Sequence, residues 1–356
     1  MQHLRNLVAA MAGGWILLPF ALRAQQHSEH SRVFTDTPRH YVCHHIASPM
    51  DIDGKDGEAV WNKAPWTDDF IDIEGHRKPA PLYRTRAKML WDENYLYVFA
   101  ELEEPHVWGS LRQRDTIIYA DNDFEMFLDP DGNAYEYFEI EVNALNTVMD
   151  LLMPRAYRAG GRAILNWDVQ GLQTAVHIKG TLNDPQDTDT RWTLEMAIPF
   201  RALAAYHTRI VPRDGSTWRV NFSRVQWQHE VEGNTYRKRK GTPEYNWVWS
   251  PQGIVDMHAP ERWGFLQFTT KSPGEKVLYA APAWVEAEAL LWEIYYRQHR
   301  FRRENGKFAS TMSELKLDKE KFEVDMEATG RQFSAIIRQG RRTIIIDQEG
   351  KLNRYE

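Results

Sequence analysis

The sequence predicts an all-β antiparallel β-sandwich, immunoglobulin-like or jelly-roll-like in kind, with a small α+β appendage at its C-terminal end. Three observations predict it. Apolar residues recur with a period of two over many short stretches, and clusters of turn-forming residues separate them. The chain holds 14 Trp and 15 Tyr in 356 residues, an aromatic surplus that suits strands and large cores. Past Ser272, Pro273 and Gly274 the period changes to that of one long helix.

Arg5 followed by the apolar stretch from Leu7 to Leu22 reads as an export signal cut after Ala24, with an uncleaved anchor as the alternative. No other stretch approaches the roughly 18 apolar residues of a membrane span, so no membrane contact is expected after cleavage. Residues 25–40 form a polar, His-rich leader, and 41–270 the sandwich. Leu82 to Trp91, the turn Asp92-Glu93-Asn94 and Tyr95 to Leu102 make one hairpin. Asp123 to Leu128, a turn over 129–133 and Tyr135 to Asn143 make a second. Further strands are expected at Gly171 to Ile178, Trp192 to Ile198, Trp218 to Trp227 and Phe265 to Phe268, with a helical segment from Pro199 to Tyr206. The appendage, 275–356, combines a helix from Trp284 to Arg303 with strands at Phe322 to Ala328, Gln332 to Arg338 and Arg342 to Asp347.

Composition excludes several classes. A net charge of −6, becoming −8 once Arg5 and Arg23 leave with the signal, gives no footing for nucleic acid. Cys43 stands alone, which excludes an intramolecular disulfide framework and a cysteine zinc cage. The chain has no Gly-x-Ser-x-Gly, no His-Glu-x-x-His and no phosphate loop.

Four phrases occur in order between residues 49 and 268: DIDGKDGEAVWN over 51–62, WDENYLYV over 91–98, DNDFEMFLD over 121–129 and WGF over 263–265. Together they resemble carbohydrate-binding module family 9. The resemblance implies an antiparallel β-sandwich that binds sugar, found beside glycoside hydrolases and without hydrolytic activity of its own. It also implies where the sugar sits. Two Trp side chains of the family clamp a reducing-end sugar; their slots fall on Tyr119 and Met257 here. The family's glutamate contact falls on Glu125, whereas its arginine contact falls on Glu141.

Read from the residues, one strand pair is acidic. Alternate side chains share a face, so Asp121, Asp123 and Glu125 point one way, as do Glu139, Glu141 and Asn143 on the returning strand. A turn centred near Asp131 would set Asp123 beside Glu139 and Asp121 beside Glu141. Like charges across a ladder are destabilising, so an Arg, a metal ion or ligand groups should compensate; Arg112, Arg114 and Arg224 are candidates. Carboxylates accept hydrogen bonds from sugar hydroxyls, and a solvated polar face is the alternative. Trp108 and Trp167, in loops, are candidate stacking platforms for a sugar ring. Trp61, Trp91 and Trp263 read as core, while Trp247 and Trp249 read equally as face or core.

Two metal readings follow. Asp51, Asp53, Asp56 and Glu58 offer oxygen ligands on a glycine-containing loop, suited to structural calcium. His40, His44 and His45, or Met257 with His258 as haem ligands, are weaker alternatives. The expected function is therefore an exported protein, periplasmic or extracellular, that binds oligo- or polysaccharide. Two alternatives stand: a glycoside hydrolase using Asp123 and Glu139, or an interaction protein with a degenerate sugar site. The basic helix face of Arg297, Arg300, Arg302 and Arg303 could take a protein partner.

Overall fold

The computed structural model describes residues 37–204, 210–317 and 321–355. The export signal, most of the leader and the end of the predicted helical segment after Pro199 lie outside them. The described residues form eighteen strands and one long helix. The strands are β1 (His40–His45), β2 (Ile71–Asp72), β3 (Thr85–Trp91), β4 (Tyr95–Glu103), β5 (Asp123–Asp129), β6 (Tyr135–Asn143), β7 (Val148–Arg155), β8 (Gln173–Lys179) and β9 (Arg191–Pro199). They continue as β10 (Thr217–Gln226), β11 (His229–Glu232), β12 (Thr235–Lys238), β13 (Tyr245–Val248) and β14 (Gly264–Thr269). The helix α1 (Val285–Asn305) precedes β15 (Val324–Ala328), β16 (Phe333–Gln339), β17 (Arg342–Asp347) and β18 (Leu352–Tyr355).

One hydrogen-bonded path runs β8-β9-β4-β3-β1-β14-β10-β5-β6-β7, and β13 branches from β10 to hold β2. The sheet curls on itself as a sandwich. Only β1 runs parallel to its neighbours, β14 and β3. The period of two decides which residues meet inside: Phe124, Met126 and Leu128 of β5 and Phe138, Ile140 and Val142 of β6 share one core with Val98, Leu194, Met196 and Phe268. Trp61, Trp91 and Trp263 are buried as expected, and burial of Trp247 and Trp249 resolves both as core. Trp91 also donates its indole N–H to the Thr269 carbonyl at 3.0 Å, closing the sheet beside β14.

The second hairpin corrects an expectation. Asp123 pairs with Asn143 and Glu125 with Glu141, while Glu139 lies opposite Phe127; Asp123 is not beside Glu139, nor Asp121 beside Glu141. The turn is centred two residues later than expected because the Asp129 carboxylate accepts the amides of Gly132 (2.8 Å) and Ala134 (2.9 Å). Ala134 and Glu136 take positive φ, and the ladder skips Glu136. The slip is even, so the acidic face stays on one side of the sheet.

The appendage is a four-stranded meander, β15-β16-β17-β18, covered by α1. The helix stops at Gly306, whose left-handed conformation (φ 73°) lets its N–H reach the Arg302 carbonyl. Among the described residues no helix is long and apolar enough to cross a membrane.

Candidate functional site

The outer face of β5, β6 and β10 carries the acidic residues. Asp123, Glu125, Glu139 and Glu141 are all buried there, the most exposed at 4%. Oxygens of Asp123, Glu125 and Glu141 lie within 4.8 Å of one another. Neither oxygen of Asp123 makes a hydrogen bond, nor does Oε2 of Glu125 or of Glu139. Glu141 accepts the Tyr119 amide at 2.9 Å. Burial is the main force on all four and favours the protonated form. It holds Asp123, Glu139 and Glu141 well above the usual carboxylate range, with their mutual repulsion adding to it. Burial and the charge of Glu244 bring Glu125 up to about 7.

Among the described residues no lysine or arginine forms an ion pair with any of the four. The nearest basic atom is Nε2 of His258, 3.6 Å from Glu139. Burial lowers this imidazole to about 4, so it stays neutral at ordinary pH. Of the three expected cations, Arg112 is exposed and pairs with none of the four, and the other two are spent elsewhere. Arg224 is on the core side, paired with Glu104 at 3.0 Å, and Arg114 reaches Asp150 and Asp168.

Asp121 does not join the floor. Its carboxylate accepts the amides of Ser110 (2.7 Å) and Leu111 (2.8 Å), the Ser110 hydroxyl and the Asn143 side chain. It ties the loop over 110–111 to β6 rather than facing a ligand.

The aromatic expectations divide. Tyr119 is 46% exposed, and its carbonyl accepts the indole N–H of Trp227 at 2.8 Å. Trp108 is buried and stacked on Tyr236 of β12, so it is no exposed platform. Trp167 is partly buried against Phe138, on the core side, and caps the sandwich instead of the acidic face. Met257 packs on a small apolar patch with Tyr137, Phe127 and Trp263, and its carbonyl accepts the Trp263 indole N–H.

Tyr157 was not singled out from the sequence. It is 50% exposed, and its ring meets His258 edge-on at 4.5 Å. Burial raises its hydroxyl to about 12, and the charges of Glu139 and Glu141 add to that. The hydroxyl of Tyr119 is raised in the same way, by burial and then by Glu141, Glu244, Glu125 and Glu139. Two exposed tyrosines from separate loops therefore stand over one acidic floor. A phenol on a turn carries no motif, so only the folded chain brings Tyr157 there.

The acidic loop near residue 51 is gathered only in part. Asp53 and Glu58 approach Glu195 of β9, but Asp51 and Asp56 are not in that group. Glu195 already accepts the amides of Asp53 and Gly54 and the Trp61 indole N–H. The histidines at the two ends of β1 diverge: His40 stacks on Tyr279, His44 approaches the Lys271 carbonyl and His45 meets Glu93. His258 is held by Tyr137 at 2.9 Å and Met257 by Gln252, which leaves that pair set as wall rather than as axial ligands.

Residues 52–216 match the family described as "Carbohydrate family 9 binding domain-like". Over 88 residues the chain is 30% identical to endo-1,4-beta-xylanase C of Paenibacillus barcinonensis, a match spanning 25% of this chain and 7% of that enzyme. A candidate carbohydrate-binding protein of Bacteroides uniformis is 18% identical, with a TM-score of 0.47 over 65% of this chain and all of that one. A carbohydrate binding module family 9 of Caldicellulosiruptor kristjanssonii, solved with cellotriose and with glucose, is 17% identical. Its TM-score is 0.40, over 68% of this chain and all of that module. The chain thus carries a region like the family 9 carbohydrate-binding domains.

Proposed function

We propose that the protein is exported and binds the end of an oligo- or polysaccharide on the outer face of β5 and β6, with no turnover of its own, beside separate glycoside hydrolases. One observation carries this reading. In a region that matches the family 9 domains, exposed Tyr119 and Tyr157 flank the acidic face of β5 and β6, Tyr119 donating its amide to Glu141 and both hydroxyls lying in the field of Glu139 and Glu141. Aromatic faces suit the C–H face of a sugar ring, and carboxylates suit its hydroxyl rim. Tyr119 takes the slot of one family clamp residue, and Tyr157 stands in for the aromatic wall that Met257 does not supply. A structural calcium held by Asp53, Glu58 and Glu195 belongs to the same reading.

The hydrolase alternative loses its geometry. Asp123 lies opposite Asn143 and Glu139 opposite Phe127, four ladder positions apart, so the two are not the facing pair that the hydrolase reading relied on. The test is a glycan array, then calorimetry with the best ligand on the full chain. Tyr119→Ala and Tyr157→Ala should each weaken binding tenfold to a hundredfold, by analogy with the roughly 1–3 kcal/mol of aromatic stacking on nucleic-acid bases. Incubation with the same glycans should release no new reducing ends. Normal binding by both variants would move the site elsewhere, and no binding at all would favour the degenerate pocket.

A further inference from the structure

The acidic floor poses an electrostatic problem that the protein alone does not solve. Three buried carboxylates share one place with a fourth, Glu139, near them on β6, and among the described residues no arginine or lysine forms an ion pair with any of them. Breaking or omitting the partner of a buried charge costs several kcal/mol, and native chains rarely leave such a group bare. Asp123 is wholly buried with both oxygens unpartnered. Glu139 lies outside the group of three oxygens, yet its own Oε2 is buried and unpartnered, and its charge acts on Asp123. The orphaned oxygens are what a bound cation would occupy.

We propose that Asp123, Glu125 and Glu141 hold a calcium ion on the outer face of β5 and β6, with Glu139 as a fourth carboxylate beside it. The donors are all hard oxygens, which excludes the metals that prefer sulfur or imidazole. Their oxygens lie within 4.8 Å of one another, so an ion between them would sit at most about 2.8 Å from each, and a slight inward turn of the carboxylates reaches calcium's roughly 2.3–2.6 Å. Magnesium demands a near-ideal octahedron at roughly 2.0–2.1 Å, whereas calcium accepts the longer, irregular set that two fixed strands offer. The strand pair explains how the set is fixed. Glu125 and Glu141 are direct cross-strand partners, and Asp123 is two residues along the same face of β5. The site stands on these carboxylates and does not depend on the sugar reading.

The experiment is calcium titration by calorimetry into the full chain stripped with chelator. Asp123→Asn and Glu141→Gln should each lose one calcium equivalent, with far-ultraviolet circular dichroism confirming a wild-type fold. Asp325→Asn, an exposed carboxylate of β15 far from either carboxylate group, should keep the wild-type stoichiometry. Saturating calcium should raise the melting temperature of the wild type and of Asp325→Asn by more than that of Asp123→Asn. Equal calcium stoichiometry in wild type and both floor variants would overturn the proposal, because shared protons would then be what relieves the floor. Full displacement by an equal concentration of magnesium would overturn the choice of ion.

Discussion

Arg158 offers the sharpest test of how the pocket wall is built. Its guanidinium is 10% exposed and donates Nη2 to Glu261 at 2.8 Å and Nη1 to the His258 carbonyl at 3.0 Å. Glu261 is completely covered at its side chain and also takes the Tyr296 hydroxyl from α1, while Arg262 stands 3.9 Å away. The guanidinium also faces the ring of Trp292 on α1 at 5.5 Å. One side chain thus joins the turn that carries Tyr157, the wall segment that carries His258, and the appendage helix. Arg158→Ala leaves a buried carboxylate without its principal partner, which costs about 3–5 kcal/mol. The remaining Tyr296 contact brings the expected loss toward the lower figure. At about 2–4 °C per kcal/mol for a unit of this size, the melting temperature should fall by roughly 6–12 °C. Much of that cost is the stranded charge and not the lost contact. Glu261→Gln placed on Arg158→Ala should therefore recover a large part of it, whereas Glu261→Gln alone should destabilise. Calorimetric melting of the four proteins closes the cycle. If the two losses simply add, Arg158 and Glu261 are not coupled, and the appendage does not brace the wall through them.

Two further outcomes follow from burial. Trp108→Ala should destabilise by about 3–5 kcal/mol in urea unfolding while leaving glycan affinity nearly unchanged, since the ring is buried under Tyr236; a stable variant with weakened binding would restore Trp108 as a platform. His299 is held neutral by burial, down to about 4, while its Nε2 lies 2.8 Å from the Gln348 carbonyl. The unfolded chain binds this proton more readily, so its contribution is present above about pH 6.5 and is lost as pH falls toward 4. His299→Gln should flatten that part of the stability profile relative to wild type, and an unchanged slope in acid titration would refute the assignment.

The sandwich was legible because strand faces follow from a local period. Phe124, Met126 and Leu128 had to face one way and Asp123 and Glu125 the other, whatever the pairing. Register was not legible, because it depends on where a turn closes, and Asp129 closes this one by capturing two amides beyond the expected turn centre. The burial of Trp108 had a readable signal that went unused. His229–Glu232 and Thr235–Lys238 are two four-residue runs separated by Gly233 and Asn234, the spacing of a tight hairpin. That hairpin carries Tyr236 over Trp108 and converts a loop aromatic into core.

The second tyrosine and the brace behind it belong to a different order of information. Tyr157, His258 and Glu261 come from segments about a hundred residues apart, and α1 reaches them only after the sandwich is closed. Two of the appendage's anchors bear on the pocket, beside others such as the Arg155–Glu349 ion pair. Arg354 of β18 donates to the Gly132 carbonyl at 3.0 Å, on the tip of the hairpin that carries the acidic floor. Tyr296 of α1 holds Glu261, behind the wall that carries His258. Both anchors therefore lie on elements that frame the candidate pocket. The helix's basic residues take part in this internal bracing too: Arg297 pairs with Glu293 and donates to the Leu315 carbonyl. An appendage attached at the floor's hairpin and behind its wall is placed to hold Tyr157 and the acidic strands in one geometry. Rigid placement of the binding groups lowers the ordering cost of capturing a flexible ligand such as a glycan end.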